Sequence, residues 1–277
     1  MASVGFVLHS GHPEAERLYR LSHGFLSGRG VDAFVIGPAG AEGNENPIAI
    51  VSIGGDGTML RSMALGMKLS SPVLGVNLGH LGYLAEVEPE EIKSALECLL
   101  DGTFDLDQRI VAEAVVSSTH AKQRYLAVNE IVVERQSSGH VIRGDVYIAG
   151  HFFLRYEADG IIVSTPTGST AYNLSARGPI LSPQAIGLAL TPLSPHMLFD
   201  RSMVLSPQES VEIQLAEGPI ASLMVDGAVQ CNLHPGERVR ITVAKEKVQL
   251  IKLVNIPFHQ VLKRKFRLSD DPRMRDD

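Results

Sequence analysis

The chain has 277 residues, of which 44% are hydrophobic and 20% are charged, and its formal net charge is −6. This length allows one large domain or two ordinary ones, and the apolar share is enough for a sizeable core, which excludes an intrinsically disordered protein. The acidic balance argues against a protein that coats nucleic acid or an anionic membrane, so neither is expected as a partner.

The same sequence indicates a cytoplasmic protein. Its two cysteines, Cys98 and Cys231, have a spacing that fits neither a zinc motif nor a redox motif. The first basic residue is Arg17, so no signal peptide is expected. No apolar run reaches the ~20 residues that a membrane helix needs. The ten histidines are scattered, so no metal site built from protein side chains is predicted.

Residues 1–102 alternate short apolar runs with segments of helical periodicity. This alternation predicts a parallel sheet covered by helices, a Rossmann-like α/β domain that lacks the G-x-G-x-x-G loop. Strands are predicted at residues 4–8, 31–36, 48–53 and 72–77, and helices at 18–26, at 58–68 and from Pro89 to just before Gly102.

From residue 103 the period of the apolar residues changes to 2. Val211, Ile213 and Leu215 alternate with polar neighbours, and turn signals such as Asp226-Gly227 recur. Residues 103–268 are therefore predicted to form an all-β domain, an antiparallel sandwich or a barrel. The charged residues 269–277 are predicted to be a disordered tail.

The segment Ile53-Gly-Gly-Asp-Gly-Thr58 lies where a predicted strand passes into a helix. Glycines let a ligand approach the backbone, and the N–H groups at a helix start favour phosphate. Beside phosphates, the carboxylate of Asp56 is repulsive unless it holds Mg²⁺ or accepts a proton from an attacking hydroxyl. A tight turn in which Asp56 only caps the helix is the alternative. No Walker lysine motif is present.

Two further segments are rich in polar groups. Residues 129–135 (NEIVVER) predict a strand led by Asn129 and Glu130, a pair that also suits plain surface. Residues 159–175 (DGIIVSTPTGSTAYNLS) predict a strand, a loop dense in hydroxyls and a short helix. Such a loop offers donors and acceptors for sugar hydroxyls and base edges, with a hydroxyl-rich helix cap as the alternative.

In this order, the three segments resemble the NAD kinase family, which carries a Gly-Gly-Asp-Gly-Thr motif, an Asn-Glu motif and an Asp-Gly-x-x-x-x-Thr-Pro-Thr-Gly-Ser-Thr-Ala-Tyr motif. Residues 75–86 (GVNLGHLGYLAE) and the Asp226-Gly227 turn also match, so the resemblance covers nearly the whole chain. It implies phosphoryl transfer from ATP with Mg²⁺, or from another donor such as polyphosphate, to the adenosine 2′-hydroxyl of NAD. It also implies a homodimer or homotetramer.

The resemblance further implies roles for single residues. Asp56 is similar to the residue that orients or deprotonates the 2′-hydroxyl. Arg177 stands where the family commonly has glycine and is a further candidate contact to NAD, because its charge suits phosphate. The phosphate loop would comprise Gly54, Gly55, Gly57 and Thr58, and the NAD contacts would comprise Asn129, Glu130, Asp159, Thr170, Ala171, Tyr172 and Ser175.

Two other functions stay open at this point. A lipid or sphingoid-base kinase shares the glycine loop but lacks the Thr-Pro-Thr-Gly-Ser-Thr-Ala-Tyr segment. A non-catalytic dinucleotide-binding protein would gain nothing from a carboxylate among phosphates, so Asp56 argues against it.

Overall fold

The computed structural model describes residues 2–37, 46–79, 82–117 and 122–268. Two compact units make up the chain, and their described parts are residues 2–108 with 248–268 and residues 109–247. The division into domains at residue 102 stays a prediction, and residues 248–268 group with the first unit rather than with the β-rich one. The predicted tail at 269–277 lies outside the described residues.

The first unit contains a parallel sheet whose strands pair in the order β2-β1-β3-β4. A short 3₁₀ turn at Pro89–Glu91 precedes its third helix. In chain order, the elements are β1 (Ser3–Leu8), α1 (Pro13–Ser27), β2 (Asp32–Val35), β3 (Ala49–Gly54), α2 (Asp56–Leu69), β4 (Val73–Asn77) and α3 (Ile92–Asp101).

The local sequence explains these elements. Pro13 opens α1, where its missing N–H is not needed, and the helix buries one face that includes Leu18 and Leu26. Gly102 ends α3 with a left-handed backbone at φ 71°. The strand β3 is buried along its whole length, as expected for a central parallel strand. The helix α2 begins at Asp56, two positions before its predicted start.

The second unit is built almost entirely from strands. One antiparallel sheet has the order β12-β11-β10-β7-β14-β15. In the other, β16, β13, β8 and β9 are neighbours in that order, and β5 pairs with β16 and β6. The elements are β5 (Asp105–Ser117), β6 (Lys122–Ala127), β7 (Glu130–Arg135), β8 (Ile142–Ile148), β9 (His151–Ala158), β10 (Gly160–Ser164), α4 (Tyr172–Ser175), β11 (Leu188–Leu193), β12 (Met203–Leu205), β13 (Val211–Leu215), β14 (Ala221–Val225), β15 (Ala228–Leu233) and β16 (Arg238–Lys252).

The two sheets of the second unit share one hydrophobic core. Ile131 and Ile161 from the six-stranded sheet belong to the same buried cluster as Val146 and Ile213 from the other sheet. A sandwich in which apolar residues of both inner faces interdigitate has this composition. The predicted fold class, a parallel α/β part and an antiparallel β sandwich, is confirmed.

The end of the described chain belongs to the first unit. Leu250 of β16 pairs in parallel with Val73 of β4, and the helix α5 (Phe258–Phe266) follows. None of the described helices has both the length and the apolar character needed to cross a bilayer.

Candidate functional site

The glycine-rich loop lies at the carboxyl end of β3 and opens α2. Ligands of parallel sheets bind at this edge. A Cβ added to Gly54 would lie 2.7 Å from the Cβ of Thr58, so no side chain fits there. A Cβ on Gly55 or Gly57 would meet no described atom within 4 Å. The backbone of these two glycines is therefore accessible to a ligand.

The carboxylate of Asp56 is only partly paired. Its Oδ2 accepts a long hydrogen bond of 3.4 Å from the backbone N–H of Tyr83. Its Oδ1 is buried and has no hydrogen-bond partner within the described residues. Gly82 lies against this oxygen, since a Cβ there would clash with Oδ1 and lie 3.1 Å from Cγ. A buried carboxylate oxygen without a partner is costly, so it suits a hydroxyl donor or a cation.

Residues 128–130, here called the Asn–Glu turn, are held from two sides in the second unit. The carboxylate of Asp226 accepts backbone N–H groups of Val128, Asn129 and Glu130 at 2.8, 2.7 and 3.1 Å. Thr165 donates its hydroxyl to the Val128 carbonyl at 2.6 Å and its N–H to the Asn129 carbonyl at 2.8 Å. The turn therefore has little freedom to change its direction.

Glu130 is a buried acid beside another acid. Only 5% of its surface is exposed, and its Oε2 has no hydrogen-bond partner in the described ranges. Burial, assisted by the charge of Asp226, raises the pKa of Glu130 to about 8. Glu130 is therefore chiefly protonated at neutral pH, and its carboxyl group can donate as well as accept a hydrogen bond.

The hydroxyl-rich loop runs from β10 through a 3₁₀ turn at Gly168–Thr170 into α4. The hydroxyls of Ser164, Thr165 and Ser169 are buried and donate to backbone carbonyls. These three side chains hold the loop together. The predicted contacts are more accessible: Thr170 and Ala171 are half-buried, and Tyr172 and Ser175 are exposed.

Asp159 and Tyr172 line a cavity of about 290 Å³. The Asp159 carboxylate pairs with the guanidinium of Arg135 at 2.7 Å. The Tyr172 hydroxyl lies 3.5 Å from the carboxylate of Glu134. Asp159 is thus one half of an ion pair, which its sequence position does not reveal.

A larger cavity of about 910 Å³ is lined by Tyr172, Ser175, Arg177 and Ser202, among others. Arg177 has a left-handed backbone with φ 61°. Glycine adopts this conformation without strain, whereas arginine does not. Ser202 stands where proline is common in the family pattern, and its hydroxyl lies 3.0 Å from that of Thr191. Both departures from the family pattern therefore border one cavity.

The predicted site residues fall into two groups, one in each unit. The loop residues Gly54 to Thr58 belong to the first unit and all predicted NAD contacts to the second. The sequence marks Asp226 as part of a turn that matches the family pattern, but it does not reveal the contact of its carboxylate with residues 128–130. Its partners lie 96 to 98 positions earlier, so no local pattern reveals the contact.

Within the described residues, no group of three or more His, Cys, Asp or Glu side chains is arranged to hold a metal ion.

Two family models match the sequence. The model described as ATP-NAD kinase N-terminal domain matches residues 39–104, and the ATP-NAD kinase C-terminal domain matches residues 128–253. A NAD kinase of Moorella thermoacetica is 38% identical over 219 residues, covering 79% of this chain and 70% of that protein. A NAD kinase of Sulfurimonas denitrificans is 33% identical and covers 96% of this chain and 97% of its own length.

Two solved structures share the fold. The crystal structure of yeast NADH kinase complexed with NADH has a TM-score of 0.85 at 22% identity, covering 99% of this chain and 90% of that one. The structure of an NAD kinase from Archaeoglobus fulgidus in complex with ATP has a TM-score of 0.71 at 24% identity, covering 96% of both chains.

Proposed function

Since this chain belongs to the NAD kinase family, we propose that it transfers a phosphoryl group from ATP to the adenosine 2′-hydroxyl of NAD, giving NADP. The observation that carries the proposal is the buried Oδ1 of Asp56, which has no hydrogen-bond partner in the described part of the chain and lies in the first turn of α2. This oxygen can accept the hydrogen of a hydroxyl group.

In the proposed reaction, the 2′-hydroxyl donates its hydrogen bond to Asp56. A bond forms between the 2′-oxygen and the γ-phosphorus, the bond from that phosphorus to the leaving oxygen of ADP breaks, and the hydroxyl proton passes to the Asp56 carboxylate. The transition state of such a transfer is loose, so orientation of the hydroxyl and neutralisation of phosphate charge account for most of the rate.

The phosphates of the donor are assigned to the glycine loop. The helix α2 has 14 residues, so the N–H groups at its start carry the partial positive charge that favours phosphate. Gly54 keeps the turn tight, Gly55 and Gly57 leave their backbone open, and Thr58 sits buried behind them. The Archaeoglobus fulgidus relative, which was solved with ATP, supports ATP as the donor.

A divalent cation fits the same place. With Oδ1 assigned to the hydroxyl, the oxygen of Asp56 that would contact a cation is Oδ2, which accepts only a long hydrogen bond of 3.4 Å from the N–H of Tyr83. Mg²⁺ commonly binds one or two carboxylates together with substrate phosphates. When bound, Mg²⁺ would neutralise charge on the donor phosphates. Asp56 is the side chain that would contact it, and the nucleotide would supply other ligands.

NAD is assigned to the second unit. The buried Asn129 and the protonated Glu130 offer donors and acceptors for ribose hydroxyls. Tyr172 adds an exposed ring, and Arg177 adds a positive charge at the larger cavity. The full set proposed to contact NAD is Asn129, Glu130, Asp159, Thr170, Ala171, Tyr172, Ser175 and Arg177. The yeast relative solved with NADH supports a dinucleotide as the acceptor.

The chain is further proposed to act in the cytoplasm as a homodimer or homotetramer. Both edge strands of the six-stranded sheet carry an exposed apolar side chain, Val204 in β12 and Val229 in β15. An exposed edge strand can pair with a strand of another subunit, and oligomers are usually closed and symmetric. Light scattering over a dilution series, run beside a turnover assay, should show activity per chain falling as the oligomer dissociates. A monomer that is fully active at every concentration would refute the assembly.

The direct test incubates the protein with ATP, Mg²⁺ and NAD and measures NADP with an NADP-specific dehydrogenase. A parallel reaction with a sphingoid base in place of NAD tests whether the protein is a lipid kinase. Another, with inorganic polyphosphate in place of ATP, identifies the phosphoryl donor. NADP formation that requires NAD supports the proposal. Binding of NAD without any product would identify a non-catalytic dinucleotide-binding protein instead.

A further inference from the structure

We propose that Asp226 positions the Asn–Glu turn for binding NAD, an inference that rests on the assignment of Asn129 and Glu130 to the NAD site. Asp226 itself lies in the hairpin turn between β14 and β15, opposite a segment that precedes it by 96 to 98 residues. Its role would be to set the direction of the main chain that carries the two binding side chains.

The hairpin turn alone does not require an aspartate. Val225 pairs with Ala228, which leaves Asp226 and Gly227 as a two-residue loop with φ values of 47° and 80°. Such type I′ turns favour Asn-Gly at least as much as Asp-Gly. An asparagine at position 226 would therefore serve the turn equally well, and the choice of a carboxylate needs another cause.

The carboxylate is required by the three N–H groups that it binds. Oδ1 accepts from Asn129 and Glu130 at 2.7 and 3.1 Å, and Oδ2 accepts from Val128 at 2.8 Å. An asparagine offers one oxygen acceptor, and its amide nitrogen cannot accept a hydrogen bond. The backbone N–H of Asp226 also donates to the Glu130 carbonyl at 3.0 Å, so the two segments hold each other reciprocally.

The same carboxylate also influences the chemistry of its neighbour. Its charge is the second cause, after burial, of the raised pKa of Glu130. Asp226 therefore fixes the direction of the Glu130 main chain and adds to the effect of burial in raising the pKa of its side chain. A residue with a purely structural role in the hairpin would influence neither.

The test compares Asp226→Asn with a matched control in an equivalent turn. Ala149 and Gly150 form the two-residue turn between β8 and β9, with φ values of 50° and 81°, so Ala149→Asn changes the same kind of turn elsewhere. Calorimetry with NAD and, separately, with ATP gives the affinities, and hydrogen exchange of the free protein reports on the amides of residues 128–130.

Asp226→Asn is expected to raise the Kd for NAD by about tenfold or more, to leave the Kd for ATP unchanged and to speed exchange of the three amides. Ala149→Asn is expected to change none of these. If Asp226→Asn binds NAD like the wild type, or exchanges these amides at the same rate, the inference is wrong.

A second variant covers the case in which Asp226→Asn does not fold. Asp226→Glu keeps the charge and both acceptor oxygens but moves them by one methylene, and it should raise the Kd for NAD at least threefold; an unchanged value would refute the inference. A wild type that binds NAD but makes no NADP refutes the proposed function alone, and a wild type that binds no NAD refutes both.

Discussion

The loop around Asp56 and the Asn–Glu turn both bury a carboxylate oxygen without a hydrogen-bond partner in the described ranges, yet they are held very differently. The Asp56 carboxylate receives a single hydrogen bond of 3.4 Å, whereas the Asn–Glu turn is held through Asp226 and Thr165 by six bonds between 2.6 and 3.1 Å. The difference suits the proposed roles. A turn that recognises a ligand gains from a fixed direction, whereas a carboxylate that exchanges partners during a reaction must not be tied to the protein.

The largest effect is expected from removing the carboxylate of Asp56, the acid of the loosely held loop. Asp56→Asn should lower kcat by ~10²–10⁴, because a positioned general base contributes about that much, while NAD binding and the melting temperature stay near those of the wild type. Steady-state kinetics and calorimetry check this. Turnover close to the wild type would exclude Asp56 from the reaction.

A smaller disturbance moves Asp56 without altering its chemistry. The clash of a Cβ at Gly82 with Oδ1 means that Gly82→Ala should shift the carboxylate and lower kcat by about 10- to 100-fold, since a displacement of ~1 Å can cost about that much. Gly79→Ala is the control, because its Cβ would meet no described atom within 4 Å. Equal activities of the two variants would contradict the assigned position of Asp56.

A substitution in the tightly held Asn–Glu turn should weaken the binding of NAD. Asn129→Ala should raise the KM for NAD by about tenfold, the equivalent of one good hydrogen bond, and leave the KM for ATP nearly unchanged. Both constants come from initial rates at varied NAD and ATP. A parallel rise of both would indicate a folding defect, and no change would remove Asn129 from the NAD site.

The protonation of Glu130 predicts that the stability of the protein depends on pH. Its folded pKa of about 8 lies above the ordinary glutamate value of 4.5, so the unfolded chain loses this proton first as pH rises. As pH rises from about 4.5 to 8, the ionisation of Glu130 should therefore progressively lower the free energy of unfolding, and it should cause no further change above pH 8.

Glu130→Gln lacks this titration, so its stability relative to the wild type should rise by about 1–2 kcal/mol from pH 5 to pH 9, less than the full pKa difference because buried sites relax. Urea unfolding of both proteins at several pH values measures it. Parallel stability curves would show that Glu130 is not protonated in the folded protein.

Much of the fold follows from local sequence. The alternation around Ile213 is a period-2 pattern that any half-buried strand shows, and Gly102 ends a helix because glycine adopts the left-handed conformation without strain. The glycine loop is recognisable for the same reason, because three glycines, which have unusual backbone freedom, stand at the end of an apolar run. These signals extend over a few neighbouring positions.

The rest depends on partners far away in the sequence. Leu250 pairs with Val73, which lies 177 positions earlier in the chain, and nothing in the alternating residues of β16 indicates that its last residues belong to the first unit. The loop dense in hydroxyls suggests donors and acceptors for a ligand, but the hydroxyls of Ser164, Thr165 and Ser169 donate to backbone carbonyls. The residue type predicts that a buried hydroxyl forms a hydrogen bond, but whether its partner is the backbone or a ligand depends on the folded structure.

The hydrogen bonds between the Asp226 carboxylate and residues 128–130 also have a consequence for folding during synthesis of the chain. Asp226 is synthesised 96 to 98 residues after the turn that it holds, and closing so long a segment carries an entropic cost that local contacts do not share. The strand that begins at Glu130 is therefore made well before its leading residues can take their final direction. A nascent chain that stops short of the β14–β15 hairpin would carry the Asn-Glu motif in full and still lack the contact that orders it.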